Sequence, residues 1–221
     1  MSDRRRTAGR PDGAGPRSSA LVDALWLRCQ QRVAAHVAHD LKGALNGVSV
    51  NLEVVRSRSA DPNTHVSAVK RYADAAGDQL GVVISMSTAL LSIGRAVRGP
   101  AEVSTVVRQI VALLEDTLRS DGARLDLTVE GGFAGATSAP PSAVRLALAE
   151  PLMSAAVQKK NISVRVRATA EPIVDIESDA TFEIFPDVGK ALADVGINIR
   201  MAGHGISIMF PSPAEPPDED V

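Results

Sequence analysis

Apolar residues recur at helical spacing over the first third of the chain. Leu21, Leu25, Cys29, Val33 and Val37 are followed by Leu41, Leu45, Val48, Leu52 and Val55. The second group advances by four, three, four and three, which is a heptad seam, so this half of a helix predicted over about 19–58 calls for a partner helix. Ser18 or Ser19 can cap its start. Asp61-Pro62-Asn63-Thr64 breaks the pattern, because Pro62 cannot continue a helix and its polar neighbours supply a turn. A second helix is predicted over about 65–97. There Val69, Tyr72, Ala76, Leu80, Val83, Met86, Leu90, Ile93 and Val97 recur at threes and fours before Gly99-Pro100 closes it. Two long helices joined by a short connection form an antiparallel hairpin. Ala73, Val82, Ile84, Ala89 and Leu91 widen the apolar stripe of the second helix beyond what one neighbour covers. The simplest burial is a second copy of the hairpin, giving a four-helix bundle about a two-fold axis. The competing arrangement covers the stripe with the C-terminal part of the same chain.

From Ala101 the pattern becomes mixed. Val103, Val106, Val107, Ile110, Leu113, Leu114 and Leu118 trace an amphipathic helix, and residues 124–129 alternate at period two as a strand. A Gly-, Ala- and Ser-rich loop over 131–141 leads into a helix over about 142–158, with Pro141 in its first turn. Strands are expected at 162–168 and 173–177 and another at 182–185, followed by a short helix over 187–195. A hairpin closes the pattern, joining 197–201 to 206–210 through Gly203-His204-Gly205. The expected fold class is therefore α+β, a long helical hairpin followed by an α/β sandwich.

Composition changes this picture little. In 221 residues, 45% are hydrophobic and 23% charged, which suits an ordinary globular protein of one large or two small domains. The net charge of −2 gives no reason to expect a nucleic-acid partner. The single cysteine, Cys29, can form no internal disulfide and falls on the apolar face near Leu25 and Val33. No cluster of Cys and His has the spacing of a zinc site. Residues 1–18 hold five arginines, two aspartates, three glycines and two prolines, read as a disordered basic tail. The acidic, proline-rich residues 212–221 read the same way. Asp23 and Arg28 interrupt any signal-peptide core, and no run of about 18 apolar residues offers a membrane span. The expectation is a cytoplasmic protein that does not engage a membrane.

The candidate chemistry lies inside the first helix. His39 is two residues from both Val37 and Leu41, which at about 100° per residue turns it to the wet side of the seam. Asp40 adjoins it, and Ala35, Lys42, Gly43 and Asn46 around it are small or polar, so the ring is open to another protein. His39-Asp40-Leu41-Lys42-Gly43-Ala44-Leu45 resembles the H-box of bacterial sensor histidine kinases, whose histidine carries the phosphoryl group. The following hairpin helix and α/β pattern resemble the rest of the kinase core, over about residues 19–211. The resemblance implies a dimerisation and phosphoacceptor hairpin over 19–99 and an ATPase-like domain over 100–211.

The catalytic boxes of that second domain are not kept. Where the family carries a magnesium-holding asparagine, this chain has Ser154. The Asp-x-Gly-x-Gly box reads Asp179-Ala180-Thr181-Phe182-Glu183, with the acid but neither glycine. Gly196, at the last hairpin, follows Asp179 only 17 positions later, which leaves no room for a nucleotide lid. Phosphate cradles need glycine because backbone N–H groups must approach the oxygens closely. The resemblance thus narrows to dimeric histidine phosphotransferases built like a kinase with a degenerate ATPase domain. It implies that His39 accepts a phosphoryl group from a receiver-domain aspartate of a response regulator and passes it to another receiver. Asp40 would serve the ring proton and Lys42 the phosphoryl oxygens, unless each is simply a solvated helix residue. Ala35, His36, Gly43 and Asn46 would meet the receiver. No cofactor is expected of this chain, since Mg²⁺ comes with the receiver. Gly43 occupies the position where kinases that also dephosphorylate carry Thr or Asn, and Ala44 replaces the family's usual proline, so a straighter helix without phosphatase activity is implied. The alternative is a non-catalytic pseudokinase scaffold that dimerises and binds receivers or a kinase. An ATP-dependent kinase is the reading least compatible with the missing lid.

Overall fold

A computed structural model describes residues 16–94, 99–131, 135–169 and 171–213. The remainder of the two expected tails, residues 1–15 and 214–221, lies outside the described residues, as does the predicted end of the second helix at 95–98.

Helix α1 (Pro16–Ser59) is a single element of 44 residues, about 66 Å long at 1.5 Å per residue. It starts three residues earlier than predicted, and Pro16 suits a first helical position because its missing N–H has no acceptor there. The connection at Asp61-Pro62-Asn63 turns the chain, with the Asn63 N–H donating to Asp61 Oδ1 at 2.9 Å. Helix α2 (Val66–Gly94) returns antiparallel along α1. The helices approach closely at Gly47, where a Cβ would lie 2.3 Å from the Gln79 side chain, and Gln79 Oε1 accepts from Asn51 Nδ2 at 3.2 Å.

The C-terminal part begins with β1 (Ala101–Glu102) and α3 (Val103–Ser120), then β2 (Leu125–Glu130), β3 (Ala136–Thr137) and α4 (Pro141–Val157). It continues through β4 (Ile162–Arg167), β5 (Ile173–Ser178), α5 (Pro186–Ala193), β6 (Asn198–Ala202) and β7 (Gly205–Met209). The small β1–β3 ladder falls partly in what the sequence reads as loop. The main sheet has the order β2-β4-β5-β7-β6, parallel only between β2 and β4. Its register sets Val129, Val166, Val174, Ile208 and Ile199 in one row across all five strands. That apolar face lies under α3 and α4, while Arg167 and Ser207 both bond to Asp175 on the other face. The β6–β7 turn has Gly203 at φ +57°, as a two-residue hairpin with a positive φ at its first position requires.

The expected strand at 182–185 does not form. Phe182 is buried, but the Thr181 backbone is tied to α4 instead of a strand. The Thr181 N–H donates to Gln158 Oε1 at 3.0 Å and Gln158 Nε2 donates back to the Thr181 carbonyl at 2.8 Å.

Hairpin and sandwich share one core. Val22, Leu25, Trp26, Cys29, Val33 and Val37 of α1 are buried in the same cluster as Leu146, Leu148 and Leu152 of α4 and Met86, Ala89 and Ile93 of α2. The first half of α1 therefore finds its partner within the chain. In the second half α2 packs against α1, and beyond the reach of the sandwich Leu45 and Leu52 of α1 remain 48% and 52% exposed. Leu80, Ile84 and Leu91 of α2 are likewise open.

Candidate functional site

His39 is on the outward ridge of α1, with its side chain 88% exposed. Its Nδ1 lies 3.2 Å from Asp40 Oδ1. An ionised carboxylate only accepts, so this contact puts the ring proton on Nδ1 and leaves the Nε2 lone pair free. Asp40 is itself held from elsewhere. The Thr117 hydroxyl of α3 donates to Asp40 Oδ2 at 2.8 Å, and His36 Nε2, one helical turn earlier, is 3.6 Å from the same oxygen. The α/β part of the chain thus reaches the carboxylate beside His39, a contact spanning 77 residues of sequence.

A cavity of about 490 Å³ opens next to His39 and Asp40, bounded by Gly43, Gln79, Thr117 and Arg119 among others. A Cβ on Gly43 would meet nothing within 4 Å, so the backbone here is bare to an approaching surface. Arg119, bonded to Glu115 at 2.6 Å, brings a guanidinium to the cavity edge. Lys42 is exposed on α1 but is not part of that cavity's wall. Ala35 and Asn46 are exposed, with Ala35 beside a separate hollow lined by Phe185 and Asp187. His36 is turned towards the sandwich, where it lines a different cavity. Thr117 and Arg119 were not recognisable as site residues from α1 alone. The signal available was a threonine, a poor helix former, at the edge of the apolar face of α3.

That other cavity, of about 590 Å³, lies between α1 and the face of α4 that bears Ser154. The Ser154 hydroxyl donates to the Thr181 carbonyl at 3.3 Å, so it is engaged with the segment that follows Asp179. Arg32 of α1 is bonded to Glu150 of α4 and its guanidinium lies 5.7 Å from the Phe185 ring. Glu150 and Glu183 set two acids against one arginine in this wall. Cys29 lines it too, and burial, helped by the charge of Glu150, pushes its thiol up to about 12. Among the described residues no group of three or more His, Cys, Asp or Glu is placed to hold a metal ion.

No protein-family description matches this chain, and no curated protein matches it. Solved structures of histidine kinases are similar to it in part. Histidine kinase ThkA in complex with response regulator protein TrrA is 13% identical, the match covering 83% of this chain and 61% of that one, with a TM-score of 0.42. The cytoplasmic segment of histidine kinase QseC is 14% identical over 60% of this chain and 92% of that one, at a TM-score of 0.41. The Acinetobacter baumannii histidine kinase AdeS is 14% identical over 79% of this chain and 98% of that one, at 0.37. At these levels of likeness the functional reading falls to the chain's own residues.

Proposed function

We propose that the chain is a histidine phosphotransferase of a two-component phosphorelay, in which His39 accepts a phosphoryl group from an aspartyl phosphate of one receiver domain and passes it to another. The observation that carries this reading is the solvent-facing imidazole of His39 with its Nδ1 against Asp40 Oδ1. The Nε2 lone pair attacks phosphorus in line with the bond to the receiver aspartate. The N–P bond forms as the P–O bond breaks, and the electron pair leaves on the receiver carboxylate. The ring becomes cationic with its proton still on Nδ1, and the Asp40 carboxylate stabilises it. The same steps in reverse deliver the group to a second receiver. Mg²⁺ held by the receiver would offset the phosphoryl charge, and this chain adds two cations near the site, Arg119 at the edge of the cavity beside His39 and Lys42 three residues along α1.

The C-terminal region serves as a docking and supporting unit, with 19–99 as phosphoacceptor hairpin and 100–211 as degenerate ATPase-like domain. Supporting this are Ser154 engaged with Thr181, the two acids of the adjoining cavity, and α1 packed across α4. A triphosphate entering there would meet like charge, which costs affinity. The open apolar residues Leu45 and Leu52 of α1 and Ile84 and Leu91 of α2 support a second copy of the chain as their cover. By length and composition alone α2 would suffice to cross a membrane, but Met86, Ala89 and Ile93 tie one side of it into the shared core. We accordingly read the chain as a cytoplasmic homodimer.

The test is incubation with receiver domains charged on aspartate with labelled phosphate. Label appears on the wild-type chain and not on His39→Ala. Receiver binding without label would make the chain a scaffold instead.

A further inference from the structure

We propose that Thr117, on the α/β part of the chain, is a positioning residue for phosphoryl transfer at His39, acting by holding Asp40 in the orientation that fixes the ring tautomer. This deepens the reading above and rests on it. Adjacent residues on a helix point about 100° apart and do not normally face one another. Helix spacing pairs Asp40 with His36, four residues earlier, and not with His39. Yet Asp40 Oδ1 is 3.2 Å from His39 Nδ1. What reconciles the two is the other carboxylate oxygen. Oδ2 takes the Thr117 hydroxyl at 2.8 Å and lies 3.6 Å from His36 Nε2. With Oδ2 anchored inward, Oδ1 is left facing the ring of His39. The Asp40 side chain is 21% exposed while that of His39 is 88% exposed, so the anchor is sheltered and the nucleophile is not.

The consequence is chemical. The accepting oxygen keeps the proton on Nδ1 and the lone pair on Nε2, the nitrogen turned to the donor. A ring released from Asp40 can carry its proton on Nε2, and that tautomer has no lone pair there to attack phosphorus. Thr117 is bonded to Asp40 Oδ2. Its effect passes through Asp40, and it gives the α/β part a role in the transfer that needs no nucleotide.

Phosphoramidate tests this without a receiver. Its P–N bond breaks as His39 forms the new one, ammonia departs with a proton, and phosphohistidine accumulates. The full-length chain is compared with Thr117→Val, Thr117→Ser and Asp40→Ala, following phosphohistidine by ³¹P NMR and the His39 tautomer by ¹⁵N NMR. Thr117→Val should move the tautomer towards Nε2–H and slow phosphorylation about fivefold to tenfold, the range one hydrogen bond contributes. Thr117→Ser should restore both. Adding Thr117→Val to Asp40→Ala should slow the reaction no further, since the two act through one contact. If valine unfolds the chain, Thr117→Ala carries the same comparison. A Thr117→Val chain with wild-type tautomer and rate, on a wild type that does label at His39, overturns the role of Thr117 and leaves the phosphotransferase reading standing. A folded wild type that neither phosphoramidate nor charged receivers label at His39 overturns both.

Discussion

Arg32, exposed on α1, is bonded to Glu150, which is buried beneath it on α4, and this pair fastens the helical hairpin to the α/β sandwich. The Glu150 side chain is only 9% exposed, whereas that of Arg32 is 54% exposed. The two ends therefore differ in what their loss does. Arg32→Ala leaves a buried carboxylate without its partner and should cost on the order of 2 kcal/mol. Arg32→Leu with Glu150→Leu removes both charges and should cost less. Urea unfolding of the three proteins checks the order.

Cys29 gives a second prediction. With its thiol pushed up to about 12 against an ordinary 9.0, it should resist alkylation by iodoacetamide at pH 8 in the folded chain and react in urea. The linkage has a definite sign. A thiol held protonated by the fold favours the folded state fully below pH 9, and that advantage is lost as pH rises from about 9 to about 12. Melting temperature should fall over that window, and fall less in Cys29→Ala once its own baseline is subtracted.

The apolar edge predicts assembly. Leu45→Asp with Ile84→Asp places charge on residues 48% and 59% exposed in the single chain, so each protomer should keep its helical content while the dimer dissociates. Light scattering at micromolar concentration reads this. A wild type that is already monomeric there contradicts the homodimer.

Gly43 separates stability from docking. Its position is a helix interior with open space around the missing Cβ, so Gly43→Ala should stabilise the chain by about 1 kcal/mol. The added methyl lies in the wall of the cavity beside His39, so transfer from a charged receiver should slow while phosphoramidate labelling changes little.

Periodicity alone placed five helices and most of the strands, because amphipathic stripes such as Val106, Ile110 and Leu114 on α3 carry their own partner requirement. It misassigned 182–185, whose apolar residues suit a strand but which follow Thr181, whose backbone is bonded to the Gln158 side chain, a side-chain choice that alternation does not encode. It also left open whether the widened stripe of the second helix faces a second copy or the same chain, since an apolar stripe states its width and not the identity of its cover; Ala89 is in the shared core while Ile84 and Leu91 stay open. His39, Asp40 and Gly43 were legible because they are neighbours on one helix. Thr117 and Arg119 were not, because their relation to His39 exists only once α3 is docked against the hairpin. A fragment ending near residue 100 would expose Val22, Leu25, Trp26, Cys29, Val33 and Val37 and should not fold as the intact chain does.

The most direct measurement is peptide-level mass spectrometry, under alkaline conditions that preserve phosphohistidine, after incubation with an aspartate-phosphorylated receiver and, separately, with Mg-ATP. The predicted result is phosphate on His39 from the receiver, none from ATP, and none on His39→Gln from either. Phosphate on His36 in place of His39, or labelling of the isolated wild type by ATP, would contradict it.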